Sequence, residues 1–245
     1  MTPETVASLT TAGGTLILAL ATFTATRSAN RAARIAERSL LASLRPVLVH
    51  AQLGDPRQKI GFADDHWVHI DGPQAVFDVT DHAIYLAFAL RNVGSGIGII
   101  QAWYPYPERV LGDQEHQPVE EFRAQTRSLY VPPGGLGFWQ GALRDREEPV
   151  YADFEKAASE RHPVTIDLLY SDLNGGQRTI TRLAVLPSPT GEGPGRDGMD
   201  RAGRDGEDRA GRDGADGAGR DGADRAGRWI ASIGTHWLID DHSAS

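Results

Sequence analysis

The sequence predicts a mainly β protein. The prediction comprises an N-terminal transmembrane helix, a juxtamembrane helical stem, and an antiparallel β-sandwich of Ig-like type with one or two short helices. Three observations lead to it. Residues 5–26 contain no charge and no proline, and arginines then recur at helical spacing. From Pro46 onwards, apolar residues recur at every second position, as in half-buried strands.

Residues 5–26 form the predicted transmembrane helix. A helix rises about 1.5 Å per residue, so a run of this length crosses a hydrocarbon layer of about 30 Å. Seven threonines and the pair Gly13-Gly14 make the run only moderately apolar. Two alternatives stay open. A cleaved signal peptide needs a positive charge before the apolar run, and residues 1–4 have none. The other alternative is a helix buried in a soluble protein.

Residues 27–45 form the predicted stem. Four arginines share one face of this helix: Arg27, Arg31, Arg34 and Arg38. They are candidates for contact with lipid head groups. Because the arginines follow the apolar run and none precedes it, the positive-inside rule places the N-terminus outside and the β domain in the cytoplasm, in a single-pass inner-membrane protein.

The opposite face of the stem carries a second repeat. Its members are Ala29, Ala33, Ala36 and Leu40. Their four-three-four spacing is typical of a short coiled-coil seam, and it also suits a surface that packs on the following domain. Pro46 then ends the helix.

Residues 46–187 together with residues 228–240 form the predicted β-sandwich. Strands are predicted at residues 47–53, 67–70, 75–80, 84–91, 97–103, 136–143, 164–171, 177–186 and 228–239. Asn174-Gly175-Gly176 predicts a hairpin turn, because these residues tolerate the positive φ of tight turns. Polar, helix-favouring residues predict helices at residues 119–129 and 151–161.

Residues 188–227 differ from the rest of the chain. From Gly195 they read GRDGMDRA, GRDGEDRA, GRDGADGA and GRDGADRA, which are four octads rich in glycine, arginine and aspartate. So little apolar surface predicts disorder. The chain becomes hydrophobic again at Trp229 and Trp237, so we expect the octads to be an insertion in the β domain and not a tail.

Composition limits the classes of function. The net charge is −8 and the pI is near 5.5, which argues against a nucleic-acid-binding protein. The absence of cysteine excludes disulfides, zinc–thiolate sites and cysteine nucleophiles.

Several segments carry a family resemblance. They are residues 44–49 (LRPVLV), 90–96 (LRNVGSG), 137–141 (GFWQG), 167–170 (DLLY), 176–180 (GQRTI), Trp229 and His236-Trp237. With the helix and the arginine-rich stem, the chain resembles a family of uncharacterised actinobacterial single-pass membrane-anchored β-domain proteins. The resemblance implies this architecture and supplies no catalytic residues.

Candidate chemistry is sparse. The glycine-rich residues 92–98 lack the following helix of a dinucleotide loop and predict a turn. Residues 172–175 predict a hairpin turn better than a calcium loop. One dense His/Asp region could serve metal or acid–base chemistry: Asp64, Asp65, His66, His69, Asp71, Asp78, Asp81 and His82. Because His66 and His69 would lie on opposite faces of a strand, we predict no catalytic, cofactor-binding or metal-binding residue.

An aromatic cluster is the candidate interaction patch. Its members are Trp103, Tyr104, Tyr106 and Trp139. Exposed aromatic residues of this kind are typical of protein recognition, and the alternative is that they belong to the core.

The predicted function is a membrane-tethered protein-interaction or scaffold module with a cytoplasmic β domain. Its partners would be membrane lipid and either an unknown protein or a second copy of the chain, with no nucleic acid and no cofactor. One alternative is a membrane-tethered hydrolase or metal-dependent enzyme that uses residues 64–82. The other is an extracytoplasmic ligand-sensing domain.

Overall fold

The computed structural model describes residues 3–188 and 228–239, with side chains from residue 13 onwards except that of Arg38. The chain forms two compact units, Met1–Arg45 and Pro46–Ser245. Apart from Ser188, the predicted octad insertion lies outside the described residues.

The first unit is one continuous helix, α1 (Pro3–Ser43), which covers both the predicted transmembrane helix and the predicted stem. Its 41 residues make it about 60 Å long. Every side chain of α1 that is described is exposed. Within the described part of the chain, no helix combines the length and the hydropathy needed to cross a membrane.

The second unit is mainly β. In the described residues its strands are β1 (Leu48–His50), β2 (Gln58–Gly61), β3 (Trp67–Ile70), β4 (Gln74–Val79), β5 (Ile84–Asn92), β6 (Gly98–Tyr106), β7 (Arg123–Val131), β8 (Leu136–Leu143), β9 (Val164–Ser171), β10 (Arg178–Pro187) and β11 (Trp229–Leu238). The hairpin of β2 and β3 stands apart, and the other nine strands form one antiparallel sheet. The mainly β, antiparallel prediction with an N-terminal helix is therefore confirmed.

The large sheet curls back on itself. The strand order is β1-β5-β4-β11-β10-β9-β6-β7, and β8 pairs with β5. β1 and β4 pair with successive parts of β5, while β8 runs along almost all of it. β7 and β8 are in contact without backbone pairing: the Gln125 side chain donates through Nε2 to the Gln140 backbone carbonyl oxygen at 3.0 Å. The two-sheet Ig-like arrangement is not confirmed, because the strands follow one continuous sheet.

The core lies inside the curl. Alternate residues of β5, including Leu86 and Phe88, pack there against Trp139 of β8 and Ile166 of β9. A second helix, α2 (Pro149–Ser159), contributes Tyr151, Phe154 and Ala157 to the same cluster. The other face of β5 is also buried, so this strand is apolar on both sides.

Two segments cover the outer face of the sheet. The hairpin of β2 and β3, with its turn at residues 62–66, packs Ile60, Phe62 and Val68 on Tyr85 and Ala87 of β5; we call it the hairpin cover. Residues 107–122 pack on β6, β9, β10 and β11 through Val119 and Phe122; we call them the loop cover.

The predicted helix at residues 119–129 is wrong. Only Val119–Glu121 is helical, as a single 3-10 turn, and Arg123–Val131 is strand β7. Pairing of β7 with β6 overrides the weak helical preference of its polar residues. The strand predicted at residues 47–53 shortens to β1, and β2 was not predicted.

Candidate functional site

Three residues of the predicted His/Asp region, Asp64, His66 and Asp78, lie close together where the hairpin cover joins the sheet. The Tyr85 hydroxyl donates to Asp64 Oδ2 at 2.7 Å, and Arg144 Nη2 donates to the same oxygen at 3.1 Å. The His66 ring stacks on Tyr85 with centroids 4.0 Å apart. His66 Nε2 lies 3.2 Å from Asp78 Oδ2 without the alignment of a hydrogen bond.

The electrostatics of this group follow from its contacts. Burial alone would raise the pKa of Asp64, but the hydrogen bonds from Tyr85 and Arg144 outweigh burial and lower it. Burial, together with the hydrogen bond to Asp64, raises the pKa of Tyr85 to about 12. Near neutral pH the group is therefore a carboxylate bound by a neutral tyrosine and an arginine, an arrangement that fastens the hairpin cover to β5.

The rest of the His/Asp region does not join this group. His69 is exposed on strand β3, and His82 is exposed in the turn before β5. Asp71 pairs with Arg57, whose Nε lies 2.9 Å from its Oδ1. In the part of the chain that the structure describes, no three His, Asp or Glu residues gather as a metal site.

The predicted aromatic patch is divided between the core and a covered surface. Trp103 and Trp139 are 5% and 0% exposed, with ring centroids 5.2 Å apart inside the curl. Tyr104 and Tyr106 are half-buried and contact each other. The four residues therefore do not make one exposed patch, because Trp103 and Trp139 point into the core.

The two predicted turns are present. Asn92, at the start of the glycine-rich loop, accepts from Val47 N and Gly94 N through Oδ1 and donates to two carbonyls through Nδ2. In the β9–β10 hairpin, Asp172 Oδ1 accepts from Gln177 N, and Gly175 has a φ of +75°. The side chains of Asn92 and Asp172 thus hold these turns closed.

A charged network that the sequence analysis missed holds the loop cover. Arg182 of β10 donates through Nε and Nη2 to Asp167 of β9 at 2.8 and 2.7 Å, and both side chains are buried. Arg182 Nη1 also donates to the carbonyls of Leu111 and Gln114 at 2.9 and 2.8 Å. The Tyr106 hydroxyl donates to Asp167 Oδ2 at 3.1 Å. Burial and the nearby carboxylate raise the pKa of Tyr106 to about 12.

The outward side of the hairpin cover is open. Lys59 and Gly61 of β2 and Trp67 and His69 of β3 are cross-strand pairs on this side, and Arg127 of β7 reaches the Gly61 carbonyl oxygen at 3.5 Å. We call Lys59, Gly61, Trp67, His69 and Arg127 the hairpin face. Trp67 is 56% exposed.

The arginines predicted to contact lipid lie on α1. Arg27, Arg31 and Arg34 are exposed, and the side chain of Arg38 lies outside the described atoms. Their contact with head groups stays a prediction.

Comparison with known proteins adds no relative: no protein-family model, no curated protein and no solved structure matches the chain. The resemblance to the membrane-anchored family stays a prediction.

Proposed function

We propose that this chain is a membrane-tethered protein-interaction module, in which α1 holds the β domain on the cytoplasmic side of a bilayer. The exposed apolar middle of α1 carries the proposal. Five large side chains are between 63% and 73% exposed there: Leu16, Ile17, Leu18, Leu20 and Phe23. A helix that is apolar on all sides requires apolar surroundings, which a bilayer supplies.

Three threonines of α1, Thr22, Thr24 and Thr26, are compatible with such surroundings. Thr22 Oγ1 donates to the Leu18 carbonyl at 2.8 Å, Thr24 to Ala21 at 2.9 Å, and Thr26 to Thr22 at 2.9 Å. A polar group in hydrocarbon must be satisfied internally, and these hydroxyls are. Mean hydropathy alone does not qualify α1 as a span. These hydrogen bonds and the absence of charge in residues 5–26 therefore support the proposal that the exposed apolar middle of α1 carries.

The orientation rests on charge. All arginines near the apolar run follow it, from Arg27 to Arg45, and the positive-inside rule keeps such a flank in the cytoplasm. Each arginine close to an anionic leaflet adds about 1 kcal/mol of attraction. The alternative of an extracytoplasmic sensor requires the reverse orientation.

Protein binding is favoured over catalysis for the β domain. Asp64 and Asp167 serve contacts that hold the two covers on the sheet. The enzyme alternative needs the histidines of residues 64–82 to converge. His69 and His82 are exposed and do not join His66 and Asp64. The hairpin face, by contrast, is an open aromatic and basic surface.

Membrane attachment is tested by carbonate extraction of cells that produce the full chain. We expect it in the membrane fraction, and Leu16→Arg should release it, since a central arginine costs about 2.5–3.5 kcal/mol. Asn30→Arg, in the stem, is the matched control and should leave it bound. An unmodified chain in the supernatant would refute the anchor.

Orientation and partner are tested in the same cells. A fluorescent-protein fusion at Ser245 should be bright, while an alkaline phosphatase fusion there should be inactive; the opposite pattern would favour the extracytoplasmic alternative. Chemical cross-linking of the full chain should give a discrete larger species containing a protein partner or a second copy. A chain that stays uncross-linked would count against an interaction module.

A further inference from the structure

The hairpin face holds the most exposed tryptophan of the β domain. Trp67 is 56% exposed, whereas Trp103, Trp139 and Trp229 are at most 5% exposed and Trp237 is half-buried. Single exposed apolar residues are normal on protein surfaces, so exposure alone decides nothing. What distinguishes Trp67 is the arrangement of the residues around it.

The indole of Trp67 lies flat on strand β2. A Cβ atom added at Gly61 would lie 2.7 Å from Trp67 Cζ3, so the ring occupies the space of a side chain there. Lys59 Nζ lies 4.7 Å from the ring centroid, within the range of a cation–π contact. Arg127 Nη2 approaches the carbonyl of the same Gly61. The exposed ring thus packs on Gly61 with Lys59 against it, and a second cation, Arg127, lies at the carbonyl of the same glycine.

Neither cation has a carboxylate partner among the described residues. Arg127 donates to neutral oxygens, those of Gln140 and Gly61. Five arginines elsewhere on the β domain form ion pairs: Arg57 with Asp71, Arg91 with Asp55, Arg123 with Glu148, Arg144 with Asp64 and Arg182 with Asp167. Arg146 and Arg161 donate to carbonyl oxygens, as Arg127 does, but neither of them lies beside an exposed tryptophan. In a chain of net charge −8, the hairpin face is therefore a local site of unneutralised positive charge.

We propose that the hairpin face binds an acidic peptide segment of a protein partner. An apolar side chain of the peptide packs on the Trp67 indole, and its carboxylates pair with Lys59 and Arg127. Tryptophan is among the residues most enriched at the energetic centres of interfaces, and charges at the edge set association rate and salt dependence. The inference rests on the proposed function, because it names the surface by which the β domain binds a protein.

A nucleic acid could also meet an aromatic ring flanked by cations. The peptide is favoured because nucleic-acid binding draws on a broad basic surface. The hairpin face has two cations and the chain as a whole is acidic.

The test uses the full chain in detergent micelles and two fluorescent twelve-residue peptides. One has four Glu-Glu-Leu repeats and the other four Gln-Gln-Leu repeats. By fluorescence anisotropy, we expect the glutamate peptide to bind saturably, less tightly as salt rises, and the glutamine peptide to bind at least tenfold more weakly. Trp67→Ala should weaken binding about thirtyfold. The double variant Lys59→Gln/Arg127→Gln should weaken it about tenfold and remove the salt dependence.

Matched controls keep the result specific. Tyr130→Ala removes an equally exposed aromatic residue outside the face, and Arg57→Gln removes an arginine that is already paired; both should bind like the unmodified chain. Absence of saturable binding, equal binding of the two peptides, or tighter binding of a twelve-nucleotide oligothymidylate would overturn the proposal. An unchanged far-UV circular dichroism spectrum and a cooperative urea transition show that each variant is folded.

Cross-linking separates this inference from the proposed function. If Trp67→Ala abolishes the cross-linked species in cells, both stand. If the species persists in Trp67→Ala, the β domain binds through another surface and only the hairpin face is refuted. If the unmodified chain yields no species, the proposed function itself fails.

Discussion

The two covers perform the same task with different chemistry. The hairpin cover is fastened at its rim, where Asp64 and Arg144 are 37% and 48% exposed. The loop cover is fastened through Arg182 and Asp167, which are 2% and 0% exposed. Water screens the first set of charges and not the second. The difference indicates that the hairpin cover can open locally, whereas release of the loop cover uncovers a buried charge and threatens the whole sheet.

The largest expected effect is on the loop cover. Arg182→Met leaves the Asp167 carboxylate buried without its partner and frees the carbonyls of Leu111 and Gln114. Removing one member of a buried pair costs about 3–5 kcal/mol. Urea unfolding should show this loss in the free energy of unfolding of the whole domain.

The double variant Arg182→Met/Asp167→Leu is the control for that experiment. Replacing both members with apolar residues removes the uncompensated charge, so much of the lost stability should return. A loss below about 1 kcal/mol in the single variant would mean that the pair behaves like an exposed one and would remove the contrast between the covers.

An intermediate loss of stability is expected at high pH, because one tyrosine at each cover ionises there. The pKa values of Tyr85 and Tyr106 are both raised to about 12, against about 10 in an unfolded chain. Each tyrosine therefore contributes stability that is complete below about pH 10 and is lost as the pH rises towards 12. Urea unfolding at about pH 9.5 and about pH 11.5 should show this fall.

The variants Tyr85→Phe and Tyr106→Phe should each remove a part of the fall, about 1 kcal/mol after screening. Tyr130→Phe changes an exposed tyrosine and should leave the profile as it is. If neither Tyr85→Phe nor Tyr106→Phe flattens the profile, the alkaline loss arises elsewhere.

A smaller and more local effect is expected at the hairpin cover. Asp64→Asn keeps one acceptor oxygen and removes the charge that Arg144 and Tyr85 bind, at a cost of about 0.5–1 kcal/mol. Hydrogen exchange should speed up in β2 and β3 while the amides of the loop cover keep their rates. Asp71→Asn disrupts only an exposed pair and should change neither. Faster exchange in both covers would show that they open together.

Some of this contrast was predictable from the sequence. Large apolar residues occupy every second position of residues 84–91. Tyr85, Ala87 and Ala89 on the second face are not charged, which indicates that a further layer covers this face too. The ion pair of the loop cover also left a signal: Asp167 is the only charge in residues 164–171, and a turn at Gly175 sets the register that places Arg182 opposite it.

Other features of the fold could not be predicted from the local sequence. The sequence of β7 resembles a polar helix, because many of its residues face solvent and are polar. Only its pairing with β6 makes it a strand. β2 is four residues long, and its burial depends on contact with β5. Trp103 and Trp139 were candidates for a surface because no sequence pattern shows that the sheet curls around them.

The smallest expected effect separates the covers at low pH. Partial burial of the ring lowers the pKa of His236, whose Nδ1 lies 2.7 Å from Thr181 Oγ1. A lowered histidine pKa gives stability that is complete above about pH 6.5 and is lost as the pH falls below it. The neighbours of His236 in β11 contact the loop cover: Thr235 Oγ1 donates to the Gly112 carbonyl at 2.9 Å, and Trp237 packs on His116. Acid should therefore loosen the loop cover.

His236→Gln should flatten the fall in unfolding free energy between about pH 7 and about pH 5 by a few tenths of a kcal/mol, because solvent screens a largely exposed histidine. His69→Gln, at an exposed histidine of the hairpin cover, should not. Hydrogen exchange at the lower pH, corrected for intrinsic rates, should show the protection of the loop cover falling in the unmodified chain and not in His236→Gln. If the hairpin cover loses protection instead, acid opens the more exposed of the two covers. That result would contradict the prediction that the loop cover is the pH-sensitive one.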